Sequence, residues 1–310
     1  MWLVPAALPS GIQHSIILGS RIGFRPDSKE VRVVVQELRW RTSDGLGMRA
    51  QAWRPEGRQS RALVYIVHGL GEHSGRWEHV ASALAAAGYA VLVSDLRGHG
   101  LSEGPRGHAP SLDALMDDIT IGLRHGRALT DGPVYLGGHS LGGSLALNYA
   151  LRQPEGLAGL VVSGPWLELS MRVPSWKTSL GRVLTRVAPT FAMPNGLDLG
   201  SLSHDEKVVA AYKADPLVHD RISVAMGIML LDAGRWALAH AAELRVPLLL
   251  MHGLDDRITS AAASQRFAEQ VPGHCTFRGW EGLYHEIHNE PQGEPVLRTV
   301  LAWLDTHTTH

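Results

Sequence analysis

Short apolar runs alternate with segments of helical spacing along most of the chain. The apolar runs are rich in β-branched residues and are predicted as strands at 31–40, 48–53, 62–67, 90–94, 134–137, 160–162, 247–251 and 275–279. Apolar side chains recur at helical spacing in 77–87, 112–127, 141–152, 262–270 and 295–305. This repeated order favours the α/β class, with a mostly parallel sheet covered by helices on both faces.

The alternation breaks between residues 165 and 240, where no run resembles a strand. Apolar residues in 173–187 fall at helical spacing, Ser203 and Glu206 have the spacing of a capping box, and 222–231 form a third helical pattern. A segment of this length is too long for a loop. We therefore predict a helical cap, or lid, over 165–240, inserted after the sixth predicted strand.

The remaining segments define the predicted domain organisation. Residues 31–164 and 241–310 are expected to form one α/β core, which the cap interrupts. Residues 1–30 fit neither pattern and are predicted as an N-terminal arm of unknown order. The first 20 residues lack Lys and Arg and contain two prolines, so a secretory signal is disfavoured.

Composition narrows the class of protein. Of the 310 residues, 45% are hydrophobic and 19% are charged, which excludes a disordered chain. The formal net charge of −1 gives no electrostatic basis for binding nucleic acid. Cys275 is the one cysteine, so no internal disulfide can form. No uninterrupted apolar run reaches the length of a membrane span. We expect a cytoplasmic protein, with peripheral contact to membranes as an option.

A candidate nucleophile follows the strand predicted at 134–137. Residues 138–142 read Gly-His-Ser-Leu-Gly, and a helical pattern comes next. A serine in such a sharp turn holds its hydroxyl above the sheet edge, and the glycines let the backbone pass. We predict Ser140 as the nucleophile. The backbone N–H groups of Leu141 and of Leu70, in the loop after an earlier strand, are the predicted oxyanion donors.

A serine hydroxyl needs a base to take its proton and an acid to orient that base. In this architecture the acid and then the histidine should each follow a later strand. Asp255 and Asp256 follow the seventh predicted strand, and the length of the turn favours Asp256. His285 and His288 follow the eighth predicted strand. One of these histidines is the predicted base, and the other is a polar neighbour.

Four motifs resemble those of the monoacylglycerol lipases. They are His-Gly-Leu-Gly-Glu-His-Ser-Gly-Arg at 68–76, Asp-Leu-Arg-Gly-His-Gly-Leu-Ser-Glu-Gly at 95–104, Ala-Asp-Pro-Leu at 214–217 and Glu-Gly-Leu-Tyr-His-Glu-Ile-His at 281–288. The resemblance extends from about Val35 to Asp305. It implies an α/β-hydrolase fold with a helical cap, and hydrolysis of monoacylglycerols, with lysophospholipids as a further option.

The same resemblance implies roles for individual residues. It puts Ser140, Asp256 and His285 in the catalytic triad, and Leu70 and Leu141 in the oxyanion hole. It puts three residues near the glycerol end of the substrate site: Glu72, Arg76 and His288. It implies no cofactor. The implied partners are a small lipid ester and, through the cap, a membrane or micelle surface that is touched transiently.

Other functions fit the sequence less well. His-Glu-Ile-His-Asn at 285–289 is not the zinc motif His-Glu-x-x-His, and no third ligand lies at metal spacing, so no metal site is predicted. The enzymatic alternatives are a lysophospholipase, a broad-specificity esterase and a proline-specific peptidase of the same fold. A non-catalytic binding protein is disfavoured because residues fill all three triad positions.

Overall fold

The computed structural model describes residues 15–18, 31–271 and 273–308. Its strands in chain order are β1 Ser15–Leu18, β2 Val33–Arg41, β3 Gly47–Pro55, β4 Leu63–Val67, β5 Ala90–Ser94, β6 Val134–His139, β7 Gly159–Ser163, β8 Ala192–Pro194, β9 Arg221–Ser223, β10 Leu248–Gly253 and β11 Cys275–Trp280. Nine of them form one sheet in the order β1-β2-β3-β5-β4-β6-β7-β10-β11. Strands β8 and β9 pair separately.

The large sheet is parallel over six neighbouring strands. From β5 through β4, β6, β7 and β10 to β11, every pair is parallel. The pairs β1–β2, β2–β3 and β3–β5 are antiparallel and occupy one edge. Parallel neighbours require long crossover connections, which helices supply here. All eight strands predicted from the sequence are present, so the predicted α/β class with a mostly parallel sheet is confirmed.

Eight α-helices accompany the strands: α1 Glu78–Ala86, α2 Leu112–Arg127, α3 Leu141–Arg152, α4 Ser175–Val187, α5 Glu206–Ala214, α6 Val224–Ala239, α7 Ala261–Gln270 and α8 Gly293–Thr308. Successive residues of the central strands face opposite layers of helices. In β4, Leu63 and Tyr65 pack into the core with α2, α3 and α7, whereas Val64 and Ile66 pack with α1 and α8. Because both faces are buried, these strands are continuous apolar runs.

The segment between β7 and β10 contains α4, α5 and α6, in line with the three helical patterns. It also contains β8 and β9, which pair antiparallel and which the sequence did not predict. Three residues are too few to display a strand periodicity. Helix α6 packs on α3 and contributes Met226 and Leu230 to the main core, whereas α4 has no buried side chain.

Strand β1 is a further difference from the prediction. It lies within the arm predicted at 1–30, and its Ser15 pairs opposite Gln36 of β2. The rest of that arm lies outside the described residues. The inserted segment follows the strand that the sequence predicted as the sixth, which is β7 once β1 is counted. Four residues give too short a pattern, and only the pairing with β2 identifies the strand.

Candidate active site

Ser140 forms the turn between β6 and α3. Its φ of 54° and ψ of −117° lie outside the regions that L-residues ordinarily adopt. Among the described residues it is the one non-glycine with a positive φ. Such a backbone costs about 1–3 kcal/mol and persists only where the surrounding structure imposes it.

Close packing around Ser140 imposes this conformation. A Cβ atom added at Gly142 would lie 2.0 Å from the carbonyl oxygen of Val67, and one added at Gly138 would lie 2.3 Å from the carbonyl oxygen of Gly142. Both positions therefore require glycine. The Ser140 N–H also donates to the carbonyl oxygen of Ser163 at 3.0 Å, so the end of β7 holds the same turn.

The turns after β10 and β11 bring a carboxylate and a histidine together. Nδ1 of His285 lies 2.7 Å from Oδ2 of Asp256, and both side chains are buried. Asp255, the alternative that the sequence left open, is exposed to solvent. The structure therefore pairs Asp256, and not Asp255, with the histidine. With Nδ1 bonded to the carboxylate, Nε2 is the nitrogen free to accept a proton from a serine hydroxyl.

The surroundings of Asp256 keep it ionised. Burial acts to raise its pKa, but the rings of His285 and His252 and the hydrogen bonds it accepts hold the pKa well below its usual range. Its Oδ1 accepts the N–H groups of Ile258 at 2.7 Å and Thr259 at 3.0 Å, and its Oδ2 accepts the Thr259 hydroxyl at 2.8 Å. A fixed carboxylate of this kind orients an imidazole and stabilises its protonated form.

In His285, burial and the neighbouring charges act on the pKa in the opposite directions. Burial acts to lower its pKa, but the charge of Asp256 and the hydrogen bond to it outweigh burial, so the pKa is raised above the usual value. The carboxylates of Glu286 and Glu72 act in the same direction. A higher pKa makes the neutral ring a better proton acceptor, although that neutral form then becomes dominant only at higher pH.

The two predicted oxyanion donors come from different parts of the chain. Leu141 is the first residue of α3, and Leu70 belongs to the loop after β4. That loop is close to the nucleophile, because a Cβ added at Gly69 would lie 3.3 Å from the Cβ of Ser140. Within the described chain, neither the Leu70 nor the Leu141 N–H donates to another backbone or side-chain group.

Buried polar side chains fix the loop that carries Leu70. Oε1 of Glu72 accepts the Gly69 N–H at 2.6 Å, and Nδ1 of His68 lies 2.8 Å from the Gly69 carbonyl oxygen. Nε2 of His68 accepts the Leu96 N–H at 2.9 Å, so the ring proton sits on Nδ1 and is donated to that carbonyl. Burial lowers the pKa of His68, which keeps the ring neutral.

A cavity of about 400 Å³ contains Ser140 and His285 in its wall. Its size lies within the range of small-molecule sites. The inserted segment contributes much of the lining, including these apolar side chains: Leu169, Met171, Val173, Leu197, Leu202 and Ile222. Three cationic side chains also line it: Arg172, Lys177 and Arg257.

The three predicted head-group residues lie in different environments. Glu72 lines the cavity, but Arg76 and His288 do not. The Arg76 guanidinium is occupied by carboxylates, since it donates to Glu72 and to both oxygens of Glu286. His288 lines a second cavity of about 120 Å³ and stacks on Trp77, with ring centroids 4.3 Å apart. A head-group role for Arg76 and His288 therefore stays a prediction.

Four residues that support the site were not predicted from the sequence: His68, His252, Thr259 and Glu286. His68 and Glu286 carried a signal, because each lies in one of the quoted motifs and Glu286 directly follows His285. The partner of Glu286, Arg76, lies 210 positions away in the chain, a separation that no local pattern can reveal. The contacts of the others likewise depend on the tertiary fold.

The arrangement contains the groups that nucleophilic cleavage of an ester requires. A hydroxyl, an imidazole and a carboxylate converge at the carboxyl edge of the sheet, beside backbone N–H donors. No group of three or more His, Cys, Asp or Glu side chains in the described ranges is arranged to hold a metal ion.

Comparisons with known proteins agree with this chemistry. The family described as serine aminopeptidase, S33, matches residues 58–292. The monoacylglycerol lipase of Mycolicibacterium smegmatis is 36% identical over 82% of this chain and 91% of its own. The crystal structure of Paleococcus ferrophilus monoacylglycerol lipase, 37% identical, covers 84% of this chain and 99% of that one with a TM-score of 0.77.

A third relative is longer. An uncharacterised abhydrolase domain-containing protein of Dictyostelium discoideum is 40% identical over 85% of this chain, which spans only 28% of that protein. Together with the site, these matches define a serine ester hydrolase of the α/β-hydrolase fold. The chain belongs to the serine aminopeptidase S33 family, and the resemblance to monoacylglycerol lipases seen in its motifs is confirmed.

The pairing of Asp256 with His285 predicts which carboxylate variant loses activity. Asp256→Asn should lower kcat by about 10⁴, because the amide favours the wrong tautomer of the histidine. Asp255→Asn should leave kcat unchanged, because the Asp255 side chain is exposed and makes none of the ring's hydrogen bonds. Hydrolysis of a p-nitrophenyl ester measures both. An inactive Asp255→Asn beside an active Asp256→Asn would reverse the assignment.

The raised pKa of His285 predicts the pH profile. The neutral ring is the base, so kcat/KM should rise with pH, with a midpoint above the ordinary histidine value of about 6.5. When the residual activity of Asp256→Asn is measured, the midpoint should lie at lower pH, since the Asp256 carboxylate raises the pKa of His285. A rate that is constant between about pH 5 and 8 would rule out His285 as the titrating base.

Proposed function

We propose that this protein hydrolyses monoacylglycerols to a fatty acid and glycerol, with Ser140, His285 and Asp256 as its catalytic triad. The observation that carries the proposal is the strained serine and the buried His–Asp pair at one wall of a largely apolar cavity. The similarity to lipases that are named for monoacylglycerols supports this substrate class.

In the first half of the reaction, Oγ of Ser140 attacks the ester carbonyl carbon while Nε2 of His285 takes the hydroxyl proton. The carbonyl oxygen becomes an oxyanion and accepts the N–H groups of Leu70 and Leu141. When the intermediate collapses, the bond to the glycerol oxygen breaks and His285 gives its proton to that oxygen. Glycerol leaves, and the acyl group stays on Ser140.

In the second half, water replaces the alcohol. His285 takes a proton from water as the water oxygen attacks the acyl carbon, and a second oxyanion forms in the same place. Collapse of this intermediate breaks the bond to Oγ, and His285 returns the proton to Ser140. The fatty acid is released. Asp256 remains a carboxylate throughout and stabilises each imidazolium that forms.

The inserted segment, 165–240, is proposed to act as the cap that receives the acyl chain. It supplies an apolar part of the cavity wall, including Leu169, Val173 and Leu202. Burial of each CH₂ group in such a wall contributes about 0.8 kcal/mol. A cavity lined in this way favours a long acyl chain over an acetyl group.

A lysophospholipase is the second candidate, and one observation favours it. Arg172, Lys177 and Arg257 line the cavity, and all three are exposed, so a phosphate group could meet them at the entrance. A neutral glycerol head group makes no use of these charges. The relative rates on monoacylglycerols and lysophospholipids of the same acyl chain therefore separate the two candidates.

The acyl-chain argument predicts the dependence on substrate length. With monoacylglycerols of increasing length, kcat/KM should rise by up to about fourfold per CH₂ until the cavity is full, and then level off. Release of glycerol is the measurement, and Ser140→Ala is the inactive control. A rate that falls steadily from acetyl upward would leave a small-ester esterase. A higher kcat/KM on lysophospholipids would replace the monoacylglycerol assignment.

The described helices include none that is long and apolar enough to span a membrane. We propose instead that the α4 face contacts a lipid surface; by this face we mean Trp176, Leu180, Val183 and Val187. These residues recur at helical spacing and are 63%, 50%, 58% and 74% exposed. A row of four large apolar side chains in solvent is typical of an interaction site.

The charges around the α4 face favour an anionic surface. Residues 169–197 contain no Asp or Glu, whereas Arg172, Lys177 and Arg186 lie beside the apolar row. Arg182, a further cation of α4, is already paired with Asp232 of α6. Basic residues that flank exposed apolar ones bind interfaces of anionic lipids.

Vesicle flotation tests the α4 face. The wild type should bind phosphatidylglycerol vesicles more strongly than phosphatidylcholine vesicles, and Trp176→Ser with Leu180→Ser should weaken binding about tenfold or more, because two large side chains no longer enter the lipid. Leu101→Ser is the matched control, since Leu101 is 49% exposed but lies outside the inserted segment. Equal weakening by the control would contradict the proposal.

A further inference from the structure

Beside the active site, buried ion pairs link the segment after β4 to the loop after β11. NH1 and NH2 of Arg76 donate to the two carboxylate oxygens of Glu286 at 2.7 and 2.8 Å. NH1 also donates to Oε2 of Glu72 at 3.0 Å. The three side chains are at most 10% exposed. We call this group the Arg76 bridge.

One end of the bridge reaches the loop with the proposed oxyanion donor. The second oxygen of Glu72 accepts the Gly69 N–H at 2.6 Å, and the next N–H along the chain is that of Leu70. A Cβ at Gly69 would lie 2.9 Å from Oε1 of Glu72, so a larger residue there would displace this carboxylate. Glu72 therefore holds the peptide that directly precedes the Leu70 amide.

The other end of the bridge reaches the loop with the proposed base. Glu286 is the residue directly after His285, and its Oε2 also accepts the Asn289 side-chain amide at 2.7 Å. Arg76 lowers the pKa of Glu286 to about 2, against the effect of burial, so Glu286 stays charged. Its backbone N–H donates to the Leu202 carbonyl oxygen at 2.8 Å, which anchors the same loop.

The guanidinium has a geometry that another cation cannot reproduce. It forms a planar fork on Glu286 and reaches Glu72 with the same group, while the ring of Tyr212 from α5 stacks on it at 4.6 Å. A lysine ammonium is a point charge without this fork. Arg76 does not line the substrate cavity.

We propose that Arg76 is a positioning residue that sets the oxyanion loop and the histidine loop in register through Glu72 and Glu286. The proposal rests on the roles proposed above for Leu70 and His285. Preorganised donors stabilise an oxyanion only if they are correctly placed, and an error of about 1 Å can cost about 10²-fold in rate. We then expect a change at Arg76 to lower kcat. A change at a residue that binds the head group would instead raise KM for glycerol esters.

The test compares Arg76→Lys with the wild type on p-nitrophenyl butyrate and on a monoacylglycerol. We expect kcat to fall about 10- to 100-fold on both esters, with KM changed by less than about threefold. The matched control is Arg97→Lys. Arg97 is also buried, bridges Asp118 and Asp44 at 2.5 and 2.9 Å, and does not line the cavity. Its kcat should stay close to that of the wild type.

Three results would overturn the proposal. They are full activity of Arg76→Lys, a loss confined to KM for the monoacylglycerol, and an equal loss of kcat in Arg97→Lys. If thermal melting finds Arg76→Lys unfolded, Glu286→Gln replaces it, since the amide keeps the shape of the side chain. Glu286→Gln should lower kcat on both esters and move the midpoint of the pH profile downward, because the Glu286 charge raises the pKa of His285. An unchanged kcat and midpoint in Glu286→Gln would refute the bridge.

The kcat test of the Arg76 bridge does not depend on the natural substrate. If the wild type hydrolyses p-nitrophenyl butyrate but no monoacylglycerol, the proposed function fails, and the Arg76 bridge is still judged on the p-nitrophenyl ester. If the wild type hydrolyses both esters and Arg76→Lys is fully active, the bridge fails and the proposed function stands.

Discussion

The contact between α3 and the ends of β4 and β6 is the constraint on which the site depends. Gly142 sits so close to the Val67 carbonyl that the chain can pass only by turning sharply at Ser140. The same contact sets the loop after β4 beside the serine, where Gly69 approaches its Cβ. One packing arrangement therefore strains the nucleophile's backbone and brings the Leu70 amide next to it. The strain of about 1–3 kcal/mol is offset by the burial of α3.

Buried charge is the second organising feature, and it takes two forms. Asp256 is compensated by two histidine rings and by N–H and hydroxyl donors, which hold it fixed under His285. The Arg76 bridge instead joins two carboxylates through one guanidinium. Buried ions are costly unless they are paired and hydrogen-bonded, and breaking one partner leaves an uncompensated charge. Both groups therefore restrict their loops, the first around His285 and the second between Glu286 and Gly69.

The inserted segment divides into two parts with different environments. Its C-terminal part is tied to the histidine loop, since the Glu286 N–H donates to Leu202 and the carboxylate of Glu290 accepts the His204 N–H at 2.9 Å. Helix α6 packs into the main core. By contrast, α4 contributes no buried side chain. The part next to the reacting groups is thus fixed by hydrogen bonds, and the apolar row of α4 faces solvent.

The sequence by itself determined the α/β class, the position of every central strand, and the motifs at Ser140 and His285, because apolar runs and glycine-flanked turns are local properties of the chain. It narrowed the acid to Asp255 or Asp256 and favoured Asp256. The tertiary fold alone decided that Asp256 reaches the ring, that Arg76 joins Glu286, and that His288 stacks on Trp77. The residues in each of these contacts are distant in the chain, and the two candidate acids are neighbours in one turn. Their partners are therefore fixed by how strands and loops pack, which no local pattern encodes.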